Sequence, residues 1–582
     1  MITPMKKVLI AGRATDRDKV LCALRDEGIV HVEPVYPELV AAPPNLQKQI
    51  DQAAKAIDSV AKLKPIPEKD SSLKVSPADL VEQVNGLTEE RARLQSELMD
   101  LKKQPDSVAP WGRIHREDLD GLRRAGLAVE FFICPDGLQD LIEAELIHIV
   151  TKQSGLVYLL AISRQPIPST AAATRILQPQ KDRFQLEQEQ ANLTAELDHI
   201  EDALRALAAR RDAMKAFHAE LEQNKRFAEV ELSLMSEGSV FVLKGWLPAS
   251  AAFSLESNFA GKGLSIGIKF SDPDTDELPP TKLQNPWWCR PIQVLYKVLG
   301  ITPGYHEVDI SPFFLPFLTI FTAMLFADAG YGLVALAALL LAYKPATARG
   351  VPKDLLQLFL VLFAGVVSYG LMTNTYFGET LIKLTSFDSM SPDGEAFLKK
   401  CCFFLGALHI SIAHLWKIRR APIGLASLAE LGWVLFVWAM FALVNVLVLG
   451  ETQPPWMIPL FGVSLGLVLV FTSPSWNPVT ALSRGLGSIA LSAAAFLSDI
   501  ISYIRLWAVG LAGGILAASF NELAGPLPLF FAVVILVAAH FMNIALCMVA
   551  VFAHGVRLNL LEFSNHVGME WSGREYEPFR KN

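Results

Sequence analysis

The chain has 582 residues, 52% of them hydrophobic, and a net charge of −7; its mean hydropathy of +0.33 averages two unlike halves. Residues 1 to about 285 are charged and soluble-looking, whereas about 311–556 are mostly apolar runs, which predicts a membrane protein with a large N-terminal soluble domain. The acidic balance argues against a nucleic-acid partner, and six cysteines without a CxxC pair indicate neither a disulfide framework nor a zinc site.

The first residues, Met1-Ile2-Thr3-Pro4-Met5-Lys6-Lys7, hold no apolar signal-peptide core, so the soluble half is expected in the cytoplasm. Lys7-Val8-Leu9-Ile10-Ala11 reads as a buried strand. An amphipathic helix follows over 16–26 through Val20, Leu21 and Leu24, stopped by Gly28, and 29–32 read as a second strand of a small βαβ-like unit. The turn Gly12-Arg13-Ala14-Thr15 lacks the glycines and lysine of a phosphate loop, which speaks against nucleotide binding. Ser76-Pro77 opens a helix over about 76–104, with a seam of Leu80, Val84, Leu87, Leu94, Leu98 and Leu101. A second seam, Leu186, Leu193, Leu197, Ile200, Leu204, Leu207, Met214 and Leu221, runs through a helix over about 182–225. The two stripes suit an antiparallel coiled-coil rod about 60 Å long. Between them, strands at 127–133 and 156–161 flank a helix expected near Asp136. After them come a strand over 240–248, a helix from Ala249 and a strand over 264–270. The expected soluble half, residues 1–285, is therefore α+β lobes joined by a coiled-coil rod. No GxxxxGK[ST], HExxH or GxSxG motif occurs in it.

An acidic, proline-rich linker over 272–280 leads to an approach segment, 286–310, and then to the membrane domain, 311–582. Apolar runs fall at about 311–343, 354–375, 397–416, 424–449, 456–472, 488–520 and 527–556. Phe326-Ala327-Asp328-Ala329-Gly330-Tyr331-Gly332 interrupts the first, and a turn there would split it into two short helices. That split places Lys344, Arg349, Lys353, Lys417, Arg419 and Arg420 in the cytoplasm and the loop with Glu379, Asp388, Asp393 and Glu395 outside, as the positive-inside rule prefers. The expectation is an all-α polytopic domain of about eight helices, both termini cytoplasmic, in the cell membrane.

Arg505 lies near the middle of the apolar stretch from about 489 to 520. A guanidinium at such a depth costs roughly 3 kcal/mol on insertion scales, and arginine cannot shed its proton to escape. Asp499 is six positions away, about 9 Å along a helix axis, and does not face it. Long apolar flanks on both sides make snorkelling hard. The residues point to a fixed membrane cation met by a carboxylate from elsewhere.

Ser502-Tyr503-Ile504-Arg505-Leu506-Trp507-Ala508 resembles the S-Y-L-R-L-W/F-A signature of the a/I subunit of rotary V-type and A-type ATPases. Val240 to Pro248 resembles the V-F-V-L-E-G-W-V-P segment of that family, and residues 281–286 its P-T-x-L-x-N-P approach to the membrane. Residues 326–332 are similar to F-G-D-x-G-Y/H-G with Ala327 replacing a glycine, 370–378 to G-L-L-x-G-x-x-F-G, and 554–563 to H-A-L-R-L-H-W/Y-V-E-F. The resemblance implies a stator membrane subunit that forms ion half-channels for H⁺ or Na⁺. It implies an arginine, Arg505, facing a rotating ring of proteolipid subunits, with Arg557 as its neighbour on the last helix. Peripheral stalk subunits would meet the soluble half, the central stalk would lie nearby, ATP would be handled by other chains, and no cofactor is called for. Asp499, Ser502, Tyr503, Glu430, His409, His414, Asn445, Asn543 and His554 are the polar groups available to line the half-channels. Asp328 reads as a turn residue, and His540 and Asn543 read equally as polar groups joining packed helices. Two departures stand out: Asn559 replaces the second histidine of the last motif, and Cys547 stands where some members carry an acid. The competing reading is a self-contained secondary transporter with a cytoplasmic rod, which would need internal repeats and broken helices.

Overall fold

The computed structural model describes residues 1–34, 43–66, 75–103, 116–153, 155–168, 173–176, 183–261, 265–380, 382–387, 389, 391–420, 424–472 and 478–581. The chain has a soluble N-terminal region of sheets and helices and a helical C-terminal region, divided into two units: Met1–Glu33 with Gly238–Phe579, and Pro34–Glu237 with Arg580–Asn582.

In the first unit a sheet runs in the order His31–Glu33, Val240–Pro248, Met5–Arg13, Ile266–Ser271, every neighbouring pair antiparallel. The first two strands in sequence are thus parallel but not adjacent. Val240–Pro248 lies between them, which corrects the simple βαβ expectation to a split one. Gly245 permits the insertion, since a Cβ there would sit 2.7 Å from the His31 carbonyl oxygen. The sheet's inward residues Val8, Ile10, Phe241 and Leu243 are buried, as are Val20, Leu21 and Leu24 of helix Arg17–Glu27. The carboxy-terminal stretch returns to this lobe, with Phe579 N donating to Val30 O (2.8 Å) and Thr281 N to Arg574 O (2.7 Å).

The second unit has a sheet in the order Leu146–Gln153, Leu156–Ser163, Ala128–Pro135, Thr174–Ile176. The helix expected from Asp136 is absent. A turn at Gly137 (φ 92°) leads through a single 3-10 turn, Gln139–Leu141, into strand Leu146–Gln153. Ile147, Ile149, Val150 and Thr151 give that strand its β-branched character. Among the described residues the two expected seams lie on Pro77–Lys103 and on Arg183–Ala208 continued by Arg211–Leu232, and share a core with a further helix, Pro44–Ala61. The long second arm breaks at Ala209-Arg210, where Arg210 N turns back to Leu207 O (3.0 Å). Beyond the break Met214 and Leu221 pack into that core. The sequence reading missed helix Pro44–Ala61, whose buried face is Ile50, Ala53, Ala56 and Val60. The expected strand start at Leu264, helix stop at Pro105 and helix start at Asp182 lie outside the described residues.

Among the described residues six helices are long and apolar enough to cross a membrane: Ala329–Ala348, Lys353–Thr373, Pro392–Arg420, Ser427–Leu449, Ile489–Ala524 and Leu529–Val567. Two shorter apolar helices, Ser311–Phe326 and Met457–Phe471, accompany them. The first long apolar run does split. Ala327 takes the left-handed conformation (φ 50°), and Asp328 caps the next helix by accepting from Tyr331 N at 3.0 Å. At 36 and 39 residues, the last two spans are about 54 and 58 Å long, far more than a hydrocarbon core of about 30 Å needs. Both must tilt steeply or run past it.

Candidate functional site

The site forms where these two long spans meet. Tyr503 interrupts the helical hydrogen bonding between Pro478–Ser502 and Ile504–Ala524, so Arg505 opens a fresh helical turn and its Nε donates to Ser502 O at 2.9 Å. Tyr503 is fully buried; its hydroxyl bonds His409 Nδ1 at 2.9 Å. Gly406 leaves room for that ring, since a Cβ there would come within 2.7 Å of it. His409 is itself sandwiched between Phe317 and Phe563, ring centroids 3.9 and 4.3 Å away. Tyr503 and His409 therefore act as a packed pillar beneath Arg505. Five residues on, Gly510 brings the Arg505 helix onto Ser311–Phe326, where a Cβ would lie 2.2 Å from Met324 O.

Arg505 Nη2 donates to Glu562 Oε1 at 2.9 Å, and Arg557 Nε stands 3.7 Å from the same oxygen. The Glu562 side chain is 5% exposed, that of Arg505 26% and that of Arg557 53%. One buried carboxylate thus faces two guanidiniums, and the trio keeps a net positive charge on its open side. Two stretches of wide π-type turns, Val551–Val556 and Leu558–Phe563, bracket Arg557 and turn Glu562 inward. Ser502 Oγ lies 3.5 Å from Glu562, while its main bond goes to Asp499 O at 2.7 Å.

Two further polar groups lie on the same helices. In the first, Asp499, His566, His414 and Glu430 form a string at 3.0, 3.3 and 2.6 Å. In the second, Asn521 Oδ1 bonds His540 Nε2 (3.1 Å), His540 Nδ1 bonds the Tyr331 hydroxyl (2.8 Å), and Asn543 Nδ2 donates to that hydroxyl and to Gly513 O, each at 2.9 Å. Asp328 supports this second group from the turn below, accepting also from Gly378 N at 2.8 Å. Arg505, Arg557 and Ser502 come together as a site, with Asp499 and Glu430 in one string and Asn543 in the other group. Asn445 and His554 bond to neither: each carries a buried polar atom, Oδ1 and Nδ1, without a partner. Sequence reasoning missed Glu562, His566, Tyr331 and Asn521. Glu562 and Tyr331 lay within motifs already singled out, whereas nothing in the sequence marked His566 or Asn521.

The chain is 30% identical to V-type ATP synthase subunit I 1 of Treponema pallidum (strain Nichols) over 634 residues, an alignment covering 100% of both chains. The chain belongs to the subunit I family of V-type and A-type ATP synthases. V-type ATP synthase subunit I of Borreliella burgdorferi matches at 27% identity over 100% of each chain. A-type ATP synthase subunit I of Methanocaldococcus jannaschii matches at 23%, over 69% of this chain and 64% of that one. No family model matches. As a subunit I homologue the chain is a membrane component of a multi-subunit rotary ATPase. Among the described residues no group of three or more His, Cys, Asp or Glu side chains is placed to hold a metal ion.

Proposed function

We propose that the chain is the stator membrane subunit of its complex. Its Arg505 would face the ring carboxylates during ion translocation, and its soluble half would brace peripheral stalk subunits near the central stalk. The observation that carries this is the Arg505–Glu562–Arg557 trio, a fixed, partly open cationic centre inside an apolar helix pair. A ring carboxylate arriving there is favoured in its ionised form, since an opposite charge within about 4–6 Å lowers a carboxyl pKa by about 1–3 units. The carboxylate gives up its ion on one side of the arginine, passes it charged, and reloads on the other. Permanent positive charge at the centre repels any ion that would leak straight across. The Asp499–Glu430 string and the Asn521–Asn543 group supply the polar lining of the two half-channels.

In this reading residues 1–285 are the cytoplasmic domain, 286–310 the approach and 311–582 the membrane domain. The carboxy-terminal stretch is cytoplasmic too, because its hydrogen bonds go to the amino-terminal lobe. The two shorter apolar helices complete a set of eight, with Asp328 at the outer turn. The test is purification of the chain from its own membranes, with and without its associated subunits. Co-purification with proteolipid and stalk subunits, and no transport by the isolated chain in liposomes, is expected. Ion uptake by the chain alone would favour the transporter reading.

A further inference from the structure

Helix Pro392–Arg420 has 29 residues, about 44 Å of helix, so it outruns a hydrocarbon core of about 30 Å. Its apolar run ends at Trp416, and its last turn carries Lys417, Arg419 and Arg420 at the depth of lipid headgroups. Lys417 lies beside His414 and Glu430. Arg419 and Arg420 are exposed and make no hydrogen bond or ion pair among the described residues. Both line a cleft of about 580 Å³ together with residues 1–4, the approach residues 305–309 and Trp416.

The two carboxylates of the cleft are occupied by the chain itself. Glu307 accepts from Gly304 N at 2.7 Å and from Glu570 N at 2.9 Å, while Asp309 accepts from Ser311 N at 3.0 Å and meets the Met1 amine. Two neighbouring guanidiniums remain, all donors and no acceptors, in a fork geometry that matches phosphate. The surroundings add an apolar path to that charge. Leu415 stands one turn before Arg419, and Phe404 stands eleven residues before Leu415, so all three share one face of the helix. Leu415 is 49% and Phe404 44% exposed. Trp416, packed edge-on against Phe313 with ring centroids 5.0 Å apart, stands where the apolar stripe gives way to charge.

We propose that this cleft binds one anionic phospholipid, its phosphate on Arg419 and Arg420 and its acyl chains along the Leu415–Phe404 stripe. A zwitterionic lipid fits worse, because its ammonium group would stand against the second guanidinium. The bound lipid joins residues 1–4, the approach segment and the end of a membrane span at one point. The inference rests on the membrane placement of Pro392–Arg420 and is independent of the role given to Arg505.

The test uses the purified full chain in neutral detergent, with phosphatidylglycerol, phosphatidylcholine, inorganic phosphate or glycerophosphoglycerol added at equal concentration. Melting temperature and phospholipid retained after gel filtration are both recorded. Phosphatidylglycerol should raise the melting temperature and stay bound, and the other three should do neither. Arg419→Gln with Arg420→Gln should weaken retention roughly thirtyfold, about fivefold for each basic side chain removed from the membrane surface. Lys344→Gln with Arg349→Gln, two exposed basic residues outside the cleft, should leave retention unchanged. Equal retention of the two lipids, or equal loss in the two paired variants, would overturn the site. Equal protection by inorganic phosphate would overturn the lipid and give the cleft to a soluble anion. Should the Arg419/Arg420 pair fail to fold, the two single variants decide: about fivefold weakening in each supports the site, and unchanged retention in both overturns it.

Discussion

Arg505 and Glu562 are 57 positions apart in sequence, and their side chains meet at 2.9 Å. The chain thus supplies this arginine with a resident counter-ion, and in the stator reading proposed above a ring carboxylate would have to compete with it. Removing Glu562 should make the arginine hold each passing carboxylate more tightly. Glu562→Gln is expected to assemble and to slow ATP-driven pumping about tenfold, the effect of about 1.4 kcal/mol added to the barrier for release. An unchanged pumping rate in the assembled variant would mean that Glu562 is no competitor.

The placement of Arg505 depends on backbone-to-backbone packing. A Cβ at Gly510 would fall 2.2 Å from Met324 O, whereas one at Gly513 would meet Cys547 Sγ at 3.5 Å and Asn543 Oδ1 at 3.9 Å, ordinary van der Waals contacts. Gly510→Ala should force the helices apart, destabilise by about 1–3 kcal/mol and impair pumping; Gly513→Ala should be tolerated. Thermal melting of both purified variants checks the contrast, and equal melting temperatures would contradict it.

In the proposed eight-helix arrangement, charge asymmetry and the turn at Asp328 predict a cytoplasmic 344–353 loop and an external 379–395 loop. A cysteine at Ser389 should react with an impermeant thiol reagent added to intact cells, and one at Thr347 should not. The reverse pattern would reject the eight-helix arrangement.

The amino-terminal lobe should lose stability in acid. Burial pushes the Glu33 carboxyl up, but hydrogen bonds from Trp246 Nε1 (2.9 Å) and Lys244 Nζ (3.0 Å), with Arg574 beside them, outweigh it and hold the group below its usual range. Its contribution is present above the unfolded value of about 4.3 and disappears as pH falls through the lower folded one. His31 adds to the loss from higher pH, because burial pulls its imidazole down. Below about 6.5 the unfolded chain binds a proton that folded His31 refuses. The parent's melting temperature should fall from pH 7 towards pH 3, and Glu33→Gln should melt lower at pH 7 but fall less steeply below pH 5. Parallel curves would contradict the assignment.

What the sequence made legible was whatever a single element carries by itself. The Arg505 stretch, the turn at Asp328 and the strands Met5–Arg13 and Val240–Pro248 all announce themselves through local pattern. What it hid were relationships set by packing. Asp499 was read as not facing Arg505, and its carboxylate meets His566, 67 positions away. Glu562 lies five places after Arg557, a spacing that puts two residues on different faces of a regular helix; the wide turns over Leu558–Phe563 bring them together. Strand Leu146–Gln153 was taken as part of a helix because its alternation is weak on the exposed side, where Leu146 and Ile149 remain in solvent.

The most direct measurement is ATP-driven ion uptake by reconstituted complexes carrying Arg505→Ala, with ATP hydrolysis and subunit composition recorded on the same preparation. The expected result is an assembled complex with its ring and stalks in place and no coupled uptake, because the remaining Arg557 is balanced by Glu562 and leaves no net positive charge to favour the ionised ring carboxylate or to block leakage. Normal uptake by that assembled variant would contradict the central role given to Arg505.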